Sequence, residues 1–196
     1  MKKIILSLLV AAIGLSANAQ TYKHKKDASS VHFLSKSPLE DIEATNKNPL
    51  AAYKIETSEM QFGVVMSQFK FKAALMEEHF NENYIETDKK VVDAAGKDTY
   101  PNRTATFKGK VNEKVDLTKD GENKVTVTGK MTLHGVTKDI TTEGTITKKG
   151  EELILLSKFK IKVADYNIKV PSLYVQNIAE VVDVTVNITL EPFVKK

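Results

Sequence analysis

A chain of 196 residues carrying a formal charge of +4 and no cysteine is about one domain of sequence, long enough to bury a core without disulfide staples. The missing cysteines exclude a thiol nucleophile, a thiolate metal site and a disulfide framework. The near balance of 29 basic and 25 acidic residues, with lysines spread rather than clustered, argues against nucleic acid or an anionic membrane surface as partner.

The first nineteen residues read as a secretory signal peptide. Met1-Lys2-Lys3 is a basic start, Ile4 to Ala17 is apolar and uncharged, and Ala17-Asn18-Ala19 is a small-x-small cleavage site. The apolar stretch is too short for a transmembrane anchor. Gln20, not Cys, follows the cut, so no lipid anchor is expected. The mature chain then runs from Gln20 to Lys196 as a single domain and is placed in the periplasm or the medium. Losing Lys2 and Lys3 takes 29 basic residues to 27 against 25 acidic, a net of +2.

Hydrophobic period sets the fold class. Val31 and Phe33 begin a first strand. Pro38 is placed to start a short helical turn in PLEDIEA. Tyr53 and Ile55, and then Met60, Phe62, Val64 and Met66, form further apolar faces at a period of two. Phe69, Ala73, Met76 and Phe80 then recur at helical spacing, which predicts a helix over Phe69 to Phe80 with Ser67 as its N-cap. Asp88 to Asn102, with mixed charge, a Gly and a Pro, reads as an exposed loop. A strand follows over Thr104 to Val111, around Phe107.

The alternation is strongest in the second half. Val125, Val127, Met131 and Leu133 share one face, with Thr126, Thr128, Lys130 and Thr132 on the other. His134-Gly135 is a turn, and Val136, Ile140 and Ile146 continue the apolar face in a returning strand. After a turn at Lys148-Lys149-Gly150, Leu153, Leu155, Phe159, Ile161 and Val163 alternate with lysines. Val182, Val184, Val186, Ile188 and Leu190 close the series. About eight strands, each with one dry and one wet face, specify an all-β antiparallel domain, either a closed barrel or a sandwich. The helix is placed to cover a barrel mouth.

Chemistry-bearing constellations are missing from this pattern. His24, His32, His79 and His134 fall in no metal-ligand spacing. His79 follows Glu77-Glu78, but adjacent helical residues point about 100° apart. His134, in its turn, is expected to hydrogen-bond the backbone. The serines lack a G-x-S-x-G context, and there is no glycine-rich phosphate loop. Asn102-Arg103-Thr104 and Asn187-Ile188-Thr189 match the glycosylation sequon by chance. What remains is the apolar interior. Eight strands enclose a space that side chains can fill or that can hold one small ligand, and alternation serves both outcomes.

Several motifs resemble the YceI-like family. Gly129-Lys-Met-Thr-Leu-His-Gly-Val-Thr-Lys138, followed by Ile140, is similar to that family's central hairpin. Ser67 to Thr87, then Tyr100-Pro101 and Thr104 to Gly109, resembles its helix-to-strand segment, and Ser30 to Phe33 its opening strand. The resemblance implies a lipocalin-like barrel, usually exported, that encloses an isoprenoid or other amphiphilic lipid, with no catalytic residues and no cofactor. Residue parity then nominates the lining of such a cavity as Phe33, Phe62, Val64, Phe69, Met76, Phe107, Val127, Met131, Leu155, Phe159, Val184 and Val186. Lys138 and Thr142, in phase with Ile140, are polar exceptions that mark a barrel end or a headgroup contact.

Three segments depart from the family pattern. Val91 to Thr99 reads as an insertion. The region after Phe33, KSPLEDIEATN, differs from the usual early strands. Val163-Ala-Asp-Tyr-Asn-Ile168 replaces a segment that in the family often carries Arg and Asp-Phe-Gly. The leading expectation is an exported carrier or buffer for an apolar chain lipid, non-enzymatic and without a membrane anchor, with homodimerisation left open. The alternative is a stress-response or structural barrel with a filled core acting through a protein partner. An enzyme is disfavoured because no polar constellation converges on the interior.

Overall fold

The structure, a computed structural model, describes residues 20–170 and 178–193; the expected signal peptide lies outside the described residues. Thirteen strands build the fold: β1 Thr21–His24, β2 Ser30–Ser35, β3 Ile42–Asn46, β4 Leu50–Lys54, β5 Glu59–Val65, β6 Lys70–Phe71, β7 Val91–Val92, β8 Asp98–Thr99, β9 Thr104–Val111, β10 Gly121–Leu133, β11 Val136–Lys149, β12 Glu152–Lys162 and β13 Val181–Pro192. Eleven of them form one antiparallel sheet that closes on itself through the pairing of β1 with β13.

The eleven segments amount to eight staves, because the first three staves are each broken once. β1 and β2 both pair with β13, at Leu190 to Pro192 and at Asp183 to Asn187 respectively. Between them the ladder is carried by Ser29, whose buried hydroxyl accepts from the Thr189 amide at 3.1 Å, while the Lys25 amide donates to the Thr189 carbonyl at 2.7 Å. β3 and β4 form the second stave. Its break is held by the fully buried Asn46, which donates to the Val65 carbonyl at 2.9 Å and accepts from the Asn48 amide at 2.8 Å. These side chains satisfy backbone groups that a broken ladder would leave unpaired inside the wall. β5 and β6 form the third stave, interrupted by a 3-10 turn at Met66–Gln68. Consecutive staves are neighbours throughout, an up-and-down barrel whose closure pairs most of the strand edges.

The long staves follow their sequences closely. In the β10–β11 hairpin, Leu133 pairs with Val136 across His134-Gly135, and both turn residues have positive φ, 52° and 72°. That is the two-residue turn whose twist matches the flanking strands. Lower in the same sheet Gly109 and Gly129 are register partners. A Cβ on either would lie 2.4 to 2.7 Å from the Phe107 ring edge, so the two glycines leave the wall open for that ring to lie along it.

Three expectations need correction. The helix is α1, Ala74–His79, followed by a π-helical turn over Phe80–Tyr84, and does not begin at Phe69. Phe69-Lys70-Phe71-Lys72 alternates at a period of two, and Lys70 and Phe71 pair with β3 instead. Ser67 sits in the 3-10 turn, and the N-cap of α1 is Ala73, which offers no side-chain cap. PLEDIEA forms no helical turn either. Ser37 closes a turn onto Glu40, with the Glu40 amide donating to the Ser37 hydroxyl at 3.1 Å, and Ile42 and Ala44 enter β3 paired to β2. The stretch 88–102 is exposed as expected except at its end, where Asn102 is buried, and it carries the hairpin β7–β8 closed by the Asp93 carboxylate on the amides of Ala95 and Lys97.

Candidate functional site

The barrel interior divides along its axis. At the end formed by β1, β4 and the adjoining ends of β12 and β13, Tyr22 and Tyr53 are register partners and both are buried. Leu153 and Leu190 beneath them have no exposed surface. Burial pushes the pKa of the Tyr53 phenol above its ordinary value, because the phenolate is disfavoured away from water. This end is filled.

The other end is hollow. A cavity of about 300 Å³ lies between β2, β3, β5, β6, β10, β12 and β13, under α1 and the π turn. A smaller one of about 100 Å³ lies deeper, and Phe62, Met131, Phe159 and Val186 belong to the walls of both. Four phenylalanines, Phe33, Phe69, Phe71 and Phe80, pack edge to face and offset on the larger wall, with centroids 5.1 to 5.9 Å apart. These are favourable aromatic separations. They set one side of the cavity without crossing it.

All twelve side chains named from parity lie on these walls. Phe33, Phe62, Val64, Phe69, Met76, Met131, Phe159, Val184 and Val186 line the larger cavity. Phe107, Val127 and Leu155 line the smaller. Met76 comes from α1, whereas parity accounts for the strand residues among them, because side chains of a strand alternate between faces. It missed Phe71 and Phe80, which the expected helix had absorbed. It also missed Ile42, lost to the expected turn, and Ile168 and Val170, which follow a short 3-10 turn at Val163–Tyr166. Lys138 does not face the cavity: its exposed ammonium is 3.6 Å from the Asp165 carboxylate outside the wall. Thr142 does line the smaller cavity, and its hydroxyl is 3.1 Å from that of Ser157. Those two residues stand where the β11–β12 ladder ends. Above Gly144 and Ser157 the two strands are no longer paired.

α1 and the π turn act as a cover. They bring Met76, His79, Phe80, Tyr84 and Ile85 to the larger cavity. His134 anchors the cover's far end. Its Nδ1–H donates to the Tyr166 carbonyl at 2.9 Å, the backbone bond expected for it, and its Nε2 faces the Glu86 carboxylate at 3.5 Å. Glu86 itself has positive φ, and its carbonyl accepts from the buried Asn102 amide at 3.4 Å. Lys89 beside Glu86 holds that carboxyl below its ordinary range. On the opposite rim Ser35 accepts from the Ala179 amide at 2.8 Å. One turn, one cover and one rim segment are thus tied by single polar contacts. Among the described residues no group of three or more His, Asp or Glu is gathered to hold a metal ion.

The profile of the YceI-like domain matches residues 22–190. The chain belongs to the YceI-like family. Solved structures agree with the barrel. A polyisoprenoid-binding domain from Saccharophagus degradans, implicated in plant cell wall breakdown, superposes at TM-score 0.70 with 17% identity, covering 88% of this chain and 98% of that one. Burkholderia cenocepacia BcnA gives 0.62 at 18% identity, covering 85% and 98%. A Campylobacter jejuni YceI protein gives 0.57 at 14%, covering both chains fully. No curated protein matches the sequence significantly. Two of the three departures from the YceI-like pattern fall at the mouth of the larger cavity. Glu40 and Ile42 come from the first, and Val163 and Ile168 from the second. The third is the β7–β8 hairpin, which contributes nothing to the walls.

Proposed function

We propose that the mature chain is an exported, non-enzymatic carrier or buffer that holds the apolar chain of a lipid, isoprenoid or fatty-acid-like, inside the barrel. The observation that carries this reading is the 300 Å³ cavity walled almost wholly by aliphatic and phenyl side chains. A preformed, apolar space of this kind is the usual form of a small-molecule site. The polyisoprenoid-binding domain that shares the fold supports the choice of ligand class. The mechanism is partition. Each methylene moved from water to such walls gains about 0.8 kcal/mol, so a chain of several isoprene units is held without a charged contact. The cover formed by α1 and the π turn opens by local motion to admit it. The leader, cut near Ala19, places the carrier in the periplasm or the medium.

Native mass spectrometry of the purified mature protein, with organic extraction of what co-purifies, tests the reading. A bound species released as an isoprenoid or fatty lipid is the expected result. An apo mass unchanged after incubation with lipid extracts would refute it. Fractionation of cells expressing the full chain, with and without residues 2–19, tests export: the expected result is a cleaved periplasmic or extracellular protein only when the leader is present.

A further inference from the structure

We infer that the lipid has an uncharged, hydrogen-bonding head, such as a prenyl alcohol, and is not a diphosphate or a free carboxylate. This rests on the lipid-binding reading and names the ligand class within it. Among the described residues the larger cavity is lined by four polar side chains only, Ser35, Glu40, His79 and Tyr84, and by no lysine or arginine. The absence is built into the strand parity. Lys70 and Lys72 alternate with Phe69 and Phe71 and so point to the outer face, where Lys70 pairs with Glu77 and Lys72 with Glu43 at 2.6 Å. Lys160 and Lys162 alternate in the same way with Phe159, Ile161 and Val163, and Lys160 pairs with Asp183.

Glu40 is the one acidic residue among the described residues of the lining, and it sits in an exposed loop whose backbone is held by the turn onto Ser37. An anionic head at this mouth would meet a like charge, with no lysine or arginine among the described lining residues to offset it. An alcohol instead donates its hydrogen to the carboxylate, a charge-assisted bond. The chain's own residues therefore select against the anion while the apolar walls accept the same tail.

The test compares geranylgeraniol with geranylgeranyl diphosphate, two probes with one tail, by titration of the mature protein and of Glu40→Lys. The expected result is binding of the alcohol at least about tenfold tighter by wild type, with the preference narrowed or reversed in the variant. Glu40 lies in an exposed loop, so the variant is expected to fold, which its thermal unfolding checks. Equal or tighter binding of the diphosphate by wild type overturns the uncharged-head inference and leaves lipid binding standing. An unchanged preference in Glu40→Lys overturns the role of Glu40. Binding of neither probe overturns the lipid-binding reading and this inference with it.

Discussion

The two ends of the barrel are built from the same alternation and end differently. At the β1–β4 end, large side chains take up the interior: the register partners Tyr22 and Tyr53 are both buried, and Leu153 and Leu190 have no exposed surface. At the mouth end the inward positions are as consistently apolar, yet Phe33, Phe69, Phe71 and Phe80 stack along one wall and leave a cavity. The difference lies in where the aromatic volume points. Apolar pattern decides which residues face inward; side-chain reach and what caps each end decide whether the interior fills.

Truncation at the filled end breaks the comparison most severely. Leu190→Ala removes a side chain with no exposed surface, and a well-packed site of that kind costs about 2–5 kcal/mol. In a domain of this size each kcal/mol lowers Tm by roughly 2–4 °C. Denaturant unfolding measures the loss. A cost below about 1 kcal/mol would mean that the two ends do not differ in packing.

Enlargement separates the ends in the opposite direction. Leu153→Phe overpacks the filled end, at a cost of about 1–3 kcal/mol. Val186→Phe puts the extra volume where both cavities have a wall, so stability changes by less than about 1 kcal/mol. Lipid binding, followed by displacement of a fluorescent fatty probe, is expected to fall at least about tenfold in Val186→Phe. Destabilisation of both variants alike would show that the hollow end has no room to give.

The sequence made most of the filled end and the barrel wall legible, because β10 to β13 run for eleven to fourteen residues each with apolar residues recurring at a period of two, broken mainly in β11 at Lys138 and Thr142. It was less informative where two periods overlap. Phe69 and Phe71 read as helix with Met76 and Phe80, although their own spacing is that of a strand, and the pairing of β6 with β3 that decides it is long-range. The breaks in the first three staves were equally hidden, since they depend on what Ser29 and Asn46 find across the wall. Hollowness itself was beyond the pattern, because alternation does not measure the distance between opposite walls.

A smaller effect probes how the cover is fastened. His134 ties the β10–β11 turn to the Tyr166 carbonyl and faces Glu86 at the cover's end. His134→Asn keeps a residue that tolerates the left-handed backbone there while removing the imidazole bond, a net loss of about 1 kcal/mol. The same substitution is expected to raise hydrogen exchange at Phe80–Tyr84 and leave Tyr53 and its neighbours unchanged. Equal changes at both ends would mean that the barrel opens as one unit and the cover has no independent motion.

The smallest expected effect is the response of the mouth to acid. Hydrogen bonds from Lys72 and His32 hold the Glu43 carboxyl below its ordinary value of 4.5. A carboxyl whose folded-state value is depressed stabilises the native protein above that ordinary value, and the contribution disappears as pH falls through the lowered one. Glu43 joins β3 to Lys72, just ahead of α1, so what is lost is one fastening of the cover. The group is solvent-exposed, and screening keeps the contribution small. Unfolding followed from pH 7 to pH 3 should therefore show wild type and Glu43→Gln converging toward the acid end, with wild type the more stable at pH 7. A constant offset between them across that range would mean that the charge on Glu43 does not fasten the mouth, and that the cover is held by its other contacts, His134, the Lys70–Glu77 pair and the packing of Phe80 on Phe33, Phe69 and Phe71.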